Sequence, residues 1–198
     1  HKTNARTAEM CKLVENSSRD VGIAFANELS MICDEANINV WELIKLANRH
    51  PRVNILQPGT GVGGHSIAVD PWFIVSEFPK KAKLIKAGRD INNYKTEWVV
   101  EKIKNAALSF ELEKGRKPTI GCLGLAFKPD IDDLRESPAL HIVQKLIDLG
   151  LSIIVAEPNI SQHEDFEILG YEQAVKQSDI TVYLVKKIVL DFCGISKI

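Results

Sequence analysis

Cysteine is scarce and scattered: the four in 198 residues (Cys11, Cys33, Cys122, Cys193) include no CxxC pair. That excludes a disulfide-framed fold and the usual zinc-ligand spacing, and it fits a reducing, cytosolic compartment. A dominant charge is also missing. Lys+Arg 25 against Asp+Glu 26 leaves a net charge of −1, so no global basic field exists to hold nucleic acid or an anionic membrane. No apolar run approaches the roughly 18 residues that cross a bilayer, and no signal peptide is visible. The five histidines (His1, His50, His65, His141, His163) form no i,i+4 pair, so no metal site is expected. Ser66 lacks a Gly-x-Ser-x-Gly elbow, and no His/Asp order suggests a triad. An initiator Met is absent before His1-Lys2-Thr3, which sets the expectation of a piece cut from a larger functional unit.

What is present is ordinary globular material, with 45% hydrophobic and 26% charged residues. At roughly 150 residues per domain, the length allows one large domain or two small ones. Met10, Leu13, Val14, Val21, Phe25, Leu29 and Ile32 recur at three- and four-residue spacing, predicting one long helix over 7–36. Gly22 lies inside it at a cost of about 1 kcal/mol relative to Ala. Asn39, with Glu42 three residues on, starts a second helix. Pro51 to Pro71 holds four Gly and three Pro and has no period, the mark of a functional or disordered loop. Helical pattern resumes near Trp72 and runs, with a break at Pro79, to about Lys114.

After Pro118 the texture changes. Thr119 to Leu123 reads as a buried strand, and Ser137-Pro138 opens a helix that Gly150 ends. Leu151 to Ala156 is a second strand, Glu172 to Gln177 a helix, and Ile180 to Val185 a third strand. This is a βαβ series with a parallel sheet. The fold class is therefore α/β overall, an all-helical domain over residues 1–110 followed by a Rossmann-like α/β domain over 111–198 with a mainly parallel sheet. Lys186 to Gly194 joins what look like two strands almost without a connector.

Gly59-Thr60-Gly61-Val62-Gly63-Gly64 matches G-x-G-x-x-G, but that fingerprint needs a strand before it and a helix after it. Two other readings stand beside it: a backbone that passes very close to a ligand, and a flexible surface loop. Gly121 to Ala126 does follow a strand, yet about a dozen residues separate it from the next helix. Lys128 and Arg135 in that insertion are either phosphate ligands or part of a solvated charge run. Lys12 and Asn16 share one face of the first helix, where a routine solvated pair is the simplest account.

Three segments then converge: Thr7 to Asn16, Pro58 to Pro71, and Gly124 to Asp130 with Asp133 to Ser137. In this order and spacing the chain closely resembles the UDP-glucose/GDP-mannose dehydrogenase family, and within it the branch acting on UDP-N-acetylmannosamine. The resemblance implies an NAD-dependent oxidation of a UDP-aminosugar C6 alcohol to the uronic acid, through a thiohemiacetal and a thioester on a catalytic Cys. It implies a three-part enzyme whose NAD-binding domain this chain lacks, a homodimer built on the helices, and a UDP-sugar-binding α/β domain.

Position by position, Ser66 stands where the catalytic Cys belongs. Asp70 matches the water-activating or charge-orienting acid, Lys12 the oxyanion-stabilising lysine and Asn16 its helix partner. Gly63 and Gly64 match the sugar-site glycines, Phe127 and Lys128 a substrate-contacting pair, and Arg135 an arginine reaching NAD phosphate. Arg52 matches an arginine given across the dimer. A serine hydroxyl without a base is not ionised, so the expectation is an inactive chain, through an engineered trap or a natural loss. The sequence does not choose among N-acetylmannosamine, N-acetylglucosamine and N-acetylgalactosamine.

Overall fold

A computed structural model describes residues 2–185. The chain divides into two compact units at Lys95/Thr96. The first holds helices α1 (Ala5–Glu35), α2 (Val40–Ala47) and α3 (Asp70–Glu77), and the beginning of α4 (Lys83–Lys114). The second holds the rest of α4, strands β1 (Thr119–Leu123), β2 (Ser152–Ala156) and β3 (Ile180–Tyr183), and helices α5 (Pro138–Asp148) and α6 (Tyr171–Gln177). No described helix is long and apolar enough to cross a membrane.

In the first unit, α1 begins two residues ahead of Thr7 because Asn4 is its cap, its Oδ1 accepting from Thr7 N–H at 2.8 Å. Asn39 caps α2 in the same way, accepting from Trp41 and Glu42 N–H. Asp70-Pro71 opens α3, where proline's missing donor costs nothing. The helix predicted over 7–36 is present, but its buried face differs from the apolar stripe. Asn16, Ser17, Asp20, Ala24, Ala26, Asn27 and Cys33 are buried, while Val14, Phe25 and Ile32 are about half exposed. Met10 and Leu13 do pack inward, on Ile74, Val75, Ala82 and Ile85. Gly88 lets α4 approach α1 closely, since a Cβ there would stand 3.1 Å from Val21 Cγ2.

In the second unit the sheet order is β2-β1-β3, and both pairs are parallel. The central strand is apolar and buried from Ile120 to Leu123 because helices cover both its faces. Ile120 and Cys122 face one cluster with Val100, Ile103 and Ala107 of α4 and Ile142, Val143 and Leu146 of α5. Leu123, on the opposite face, packs with Ala156 and Ala174 of α6. Gly121 shares the Leu123 face, where a Cβ would stand 2.8 Å from Ser178 Oγ. The division of units falls within α4 because Val100, Ile103 and Ala107 join the sheet's core. Ser137 Oγ and Gly150 mark the ends of α5, the latter at φ 75°. Asp179 fastens the starts of β1 and β3, accepting from Thr119 N–H at 2.8 Å and from both terminal nitrogens of Arg116. The joined strands expected over Lys186 to Gly194 lie outside the described residues, as does Cys193.

Candidate functional site

The first cluster of predicted residues forms along α1. Asn16 Nδ2 donates to Asp70 Oδ2 at 2.5 Å, so two residues separated by 54 in sequence meet in space. Asp70 is the first residue of α3, and its N–H donates to Ser66 O at 2.8 Å. Val69 N–H donates to the same carbonyl at 3.1 Å. Residues 66–70 thus form one tight turn, and Ser66 is held directly beside the Asn16–Asp70 contact through its own main chain. Ser66 is partly buried and its hydroxyl has no hydrogen-bond partner among the described residues. Lys12, one turn before Asn16, is exposed.

Gly63 and Gly64 immediately precede this turn and are buried. Gly61 and Gly64 have φ of 145° and 86°, a backbone that side-chain-bearing residues rarely adopt. At its start the loop is fastened to α1 again, Gly59 N–H donating to Asn27 Oδ1 at 2.8 Å. Between the two fastenings Gly22 leaves room for Leu56, which a Cβ would meet at 3.1 Å. No strand precedes Gly59 and no helix starts until Asp70, so this G-x-G-x-x-G is not a dinucleotide cradle. Arg52 is exposed, in an excursion closed by Asn48, whose side chain pairs with both Ile55 N–H and Ile55 C=O at 2.7 and 2.9 Å.

The second cluster follows β1. Gly124, at φ 94°, turns the chain away from the strand into the segment leading to α5. Leu125 and Ala126 N–H donate to Glu157 Oε2 at 2.8 and 3.3 Å, and Asn159 N–H donates to Glu157 Oε1. Glu157 is 2% exposed at the carboxyl end of β2. Phe127 is partly buried, Lys128 is exposed, and the Lys128 ammonium lies 5.5 Å from the Phe127 ring centre. Arg135 is exposed and forks onto Asp133, Nε and Nη2 lying 2.6–3.0 Å from its oxygens. Burial, then the charges of Glu157 and Asp130, raises the Tyr171 hydroxyl above its ordinary range.

Asn16, Ser66, Asp70 and the glycines therefore come together in the first unit, and Phe127, Lys128 and Arg135 share one segment of the second. Two residues escaped the sequence reading. Asn27 lies eleven residues beyond Asn16 on the same helix face, a spacing that could have exposed it. Glu157 is a lone acid just after a strand, where ligand-facing groups gather in such sheets. Among the described residues no group of three His, Cys, Asp or Glu could hold a metal ion.

The chain is similar to known proteins along nearly its whole length. It is 58% identical over 192 residues to a UDP-N-acetyl-D-mannosamine dehydrogenase of Campylobacter jejuni, covering 93% of this chain and 46% of that protein. It is 56% identical over 188 residues to an NDP-N-acetyl-D-galactosaminuronic acid dehydrogenase of Ralstonia nicotianae, covering 92% and 43%. Among solved structures, a UDP-N-acetyl-mannosamine dehydrogenase from S. aureus superposes with a TM-score of 0.83 at 42% identity, covering 97% of this chain and 44% of that one. The chain thus spans a little under half the length of the relatives it matches. Residues 6–94 match the UDP-glucose/GDP-mannose dehydrogenase family central domain, and residues 121–196 match the same family's UDP binding domain. With both of these domains present in order, the chain belongs to the UDP-glucose/GDP-mannose dehydrogenase family.

Proposed function

We propose that this chain is the sugar-oxidising and UDP-binding part of an NAD-dependent nucleotide-sugar 6-dehydrogenase. The substrate is a UDP-N-acetylhexosamine, with UDP-N-acetylmannosamine ahead of the N-acetylglucosamine and N-acetylgalactosamine isomers. The observation that carries this reading is the Asn16–Asp70 contact beside Ser66. It puts an acid and its orienting amide next to the position at which a nucleophile would meet the sugar C6.

In the proposed reaction a thiol at position 66 adds to the C6 aldehyde and later releases the acid to water. Lys12 stabilises the alkoxide that develops as hydride leaves. Asp70 orients or activates the water, and Asn16 holds Asp70 in place. Gly63 and Gly64 let the sugar approach the main chain. Phe127 and Lys128 take the nucleotide side of the substrate, where a phosphate meets one local cation. Arg52, at an exposed loop, is offered to a second copy of the chain. Half-exposed Val14, Phe25 and Ile32 on α1 supply apolar surface for a homodimer.

NAD supplies the hydride acceptor, two equivalents for each alcohol carried to acid. The described residues do not build a dinucleotide cradle, and what they offer the cofactor is the exposed Arg135 guanidinium.

Ser66 favours a second reading, a dimerisation and nucleotide-binding module without catalysis. Its hydroxyl, with no hydrogen-bonded base among the described residues, is a poor nucleophile at neutral pH. Calorimetric titration tests what both readings share: UDP and UDP-N-acetylmannosamine should bind this chain, and absence of UDP binding sinks both. Ser66→Cys in a chain that includes the NAD domain separates them. NADH formation on addition of the UDP-sugar supports the dehydrogenase; no recovery removes the nucleophile assignment.

A further inference from the structure

Gly59 N–H finds its acceptor in a side-chain amide, Asn27 Oδ1. An amide has two ends of nearly equal shape, and only the oxygen accepts. Something must keep that oxygen, rather than the nitrogen, turned toward the loop. A buried chain of polar groups behind Asn27 does so.

The chain starts at Arg89, which can only donate, and Asp20, whose carboxylate accepts. Arg89 Nη1 lies 2.7 Å from Asp20 Oδ1. The same Oδ1 and the Asp20 main-chain carbonyl accept from Asn92 Nδ2 at 2.8 and 3.1 Å. With its nitrogen committed to Asp20, Asn92 presents its oxygen to Asn27 Nδ2, at 2.8 Å. Asn27 is left with its own oxygen facing Gly59. Asp20 and Asn27 are 0% exposed, Asn92 1% and Arg89 3%, so water offers no alternative partner that would let either amide turn over.

We infer that Asn27 is a positioning residue for the glycine loop, and that the Arg89–Asp20–Asn92 chain sets the direction of its amide. The inference rests on the reading that the 59–66 loop borders the sugar. A purely structural role would stabilise α1 against α4 without any effect confined to that loop.

The test uses this chain. Amide exchange is followed by mass spectrometry in segment 57–66, and UDP and UDP-N-acetylmannosamine are titrated calorimetrically. Asn27→Ala should speed exchange there about tenfold and weaken the UDP-sugar about tenfold, with UDP changed less than about twofold. Asn27→Asp keeps an acceptor for Gly59 N–H but sets a carboxylate oxygen against Asn92 Oδ1, so alone it should also loosen the loop. Asp20→Asn should loosen the loop when made alone and restore protection in the Asn27→Asp background, where the amide at 20 can donate to Asn92 Oδ1 and Asn92 can turn its nitrogen to the carboxylate at 27. If Asn27→Ala does not fold, this last pair carries the comparison.

Unchanged exchange in Asn27→Ala overturns the inference. So does equal weakening of UDP and UDP-sugar, or a loop carrying both Asn27→Asp and Asp20→Asn that is as loose as that of Asn27→Ala. A parent chain that binds neither ligand removes the sugar reading of the loop, while the exchange measurements still decide the role of Asn27.

Discussion

Asn16 Nδ2 sits 2.5 Å from Asp70 Oδ2, joining the middle of α1 to the first residue of α3. The contact is a donor matched to a carboxylate, and Asn16 is 8% exposed. Its worth therefore depends on the amide nitrogen, which no substitution of similar size replaces.

Asn16→Asp should set two carboxylates face to face. We expect a loss of about 1–3 kcal/mol at pH 7, recovered in part near pH 4 as one of the two takes up a proton. Urea denaturation at the two pH values checks this.

Lys12 is exposed on the turn before Asn16, so removing it should leave folding nearly unchanged. In a chain carrying the NAD domain and Ser66→Cys, Lys12→Ala should lower kcat by roughly 10²–10³ with a smaller change in KM. A loss confined to KM would place Lys12 in substrate binding instead.

Asp179 is held well below the ordinary carboxylate value of 3.8, at about 2, first by the hydrogen bond from Arg116 and then by that from Thr119 N–H. A folded-state value lowered in this way adds stability that is full above the unfolded value and fades as pH falls through the folded one. The advantage of the parent chain over Asp179→Ala in thermal midpoint should thus persist at neutral pH and shrink between about pH 4 and 2.

The cysteines should differ sharply in reactivity. Burial pushes the Cys122 thiol up to about 12, and Cys33 is also buried, whereas Cys11 is exposed. Iodoacetamide at pH 8 should label Cys11 in the folded chain and reach Cys33 and Cys122 only after unfolding, as peptide mass mapping would report.

Gly124 combines a φ of 94° with a Cβ position 2.7 Å from Val185 Cβ. Gly124→Ala should destabilise the second unit by about 2–4 kcal/mol, through strain and overpacking together. Chemical denaturation followed by exchange in β1 checks both size and location.

The elements were legible where a local signal marks them. Asn39, Ser137-Pro138 and Gly150 are punctuation, and the apolar run Thr119 to Leu123 matches β1 without adjustment. The face of α1 was not legible. Periodicity records hydrophobicity, so it assigns Phe25 and Ile32 to the core and carries no signal for Asp20 and Asn27, whose burial depends on partners from residues 59–92. The same holds for Glu157, whose partners are main-chain N–H groups of Leu125 and Ala126, invisible as residue types. Asn16 and Asp70 belong to separate sequence motifs, and only the fold brings them into contact.

The two fastenings of the glycine loop stand eleven residues apart on α1. Eleven residues at about 100° each come back within roughly 20° of the starting direction, about 16 Å farther along the axis. The helix therefore acts as a ruler with both a length and a phase. One residue inserted between 17 and 26 would swing Asn27 by about 100°, out of line with Asn16. Seven would nearly restore the direction and overshoot the loop by about 10 Å. Side chains along this stretch can be exchanged one for another, but its residue count is as much a part of the site as Asn16 itself.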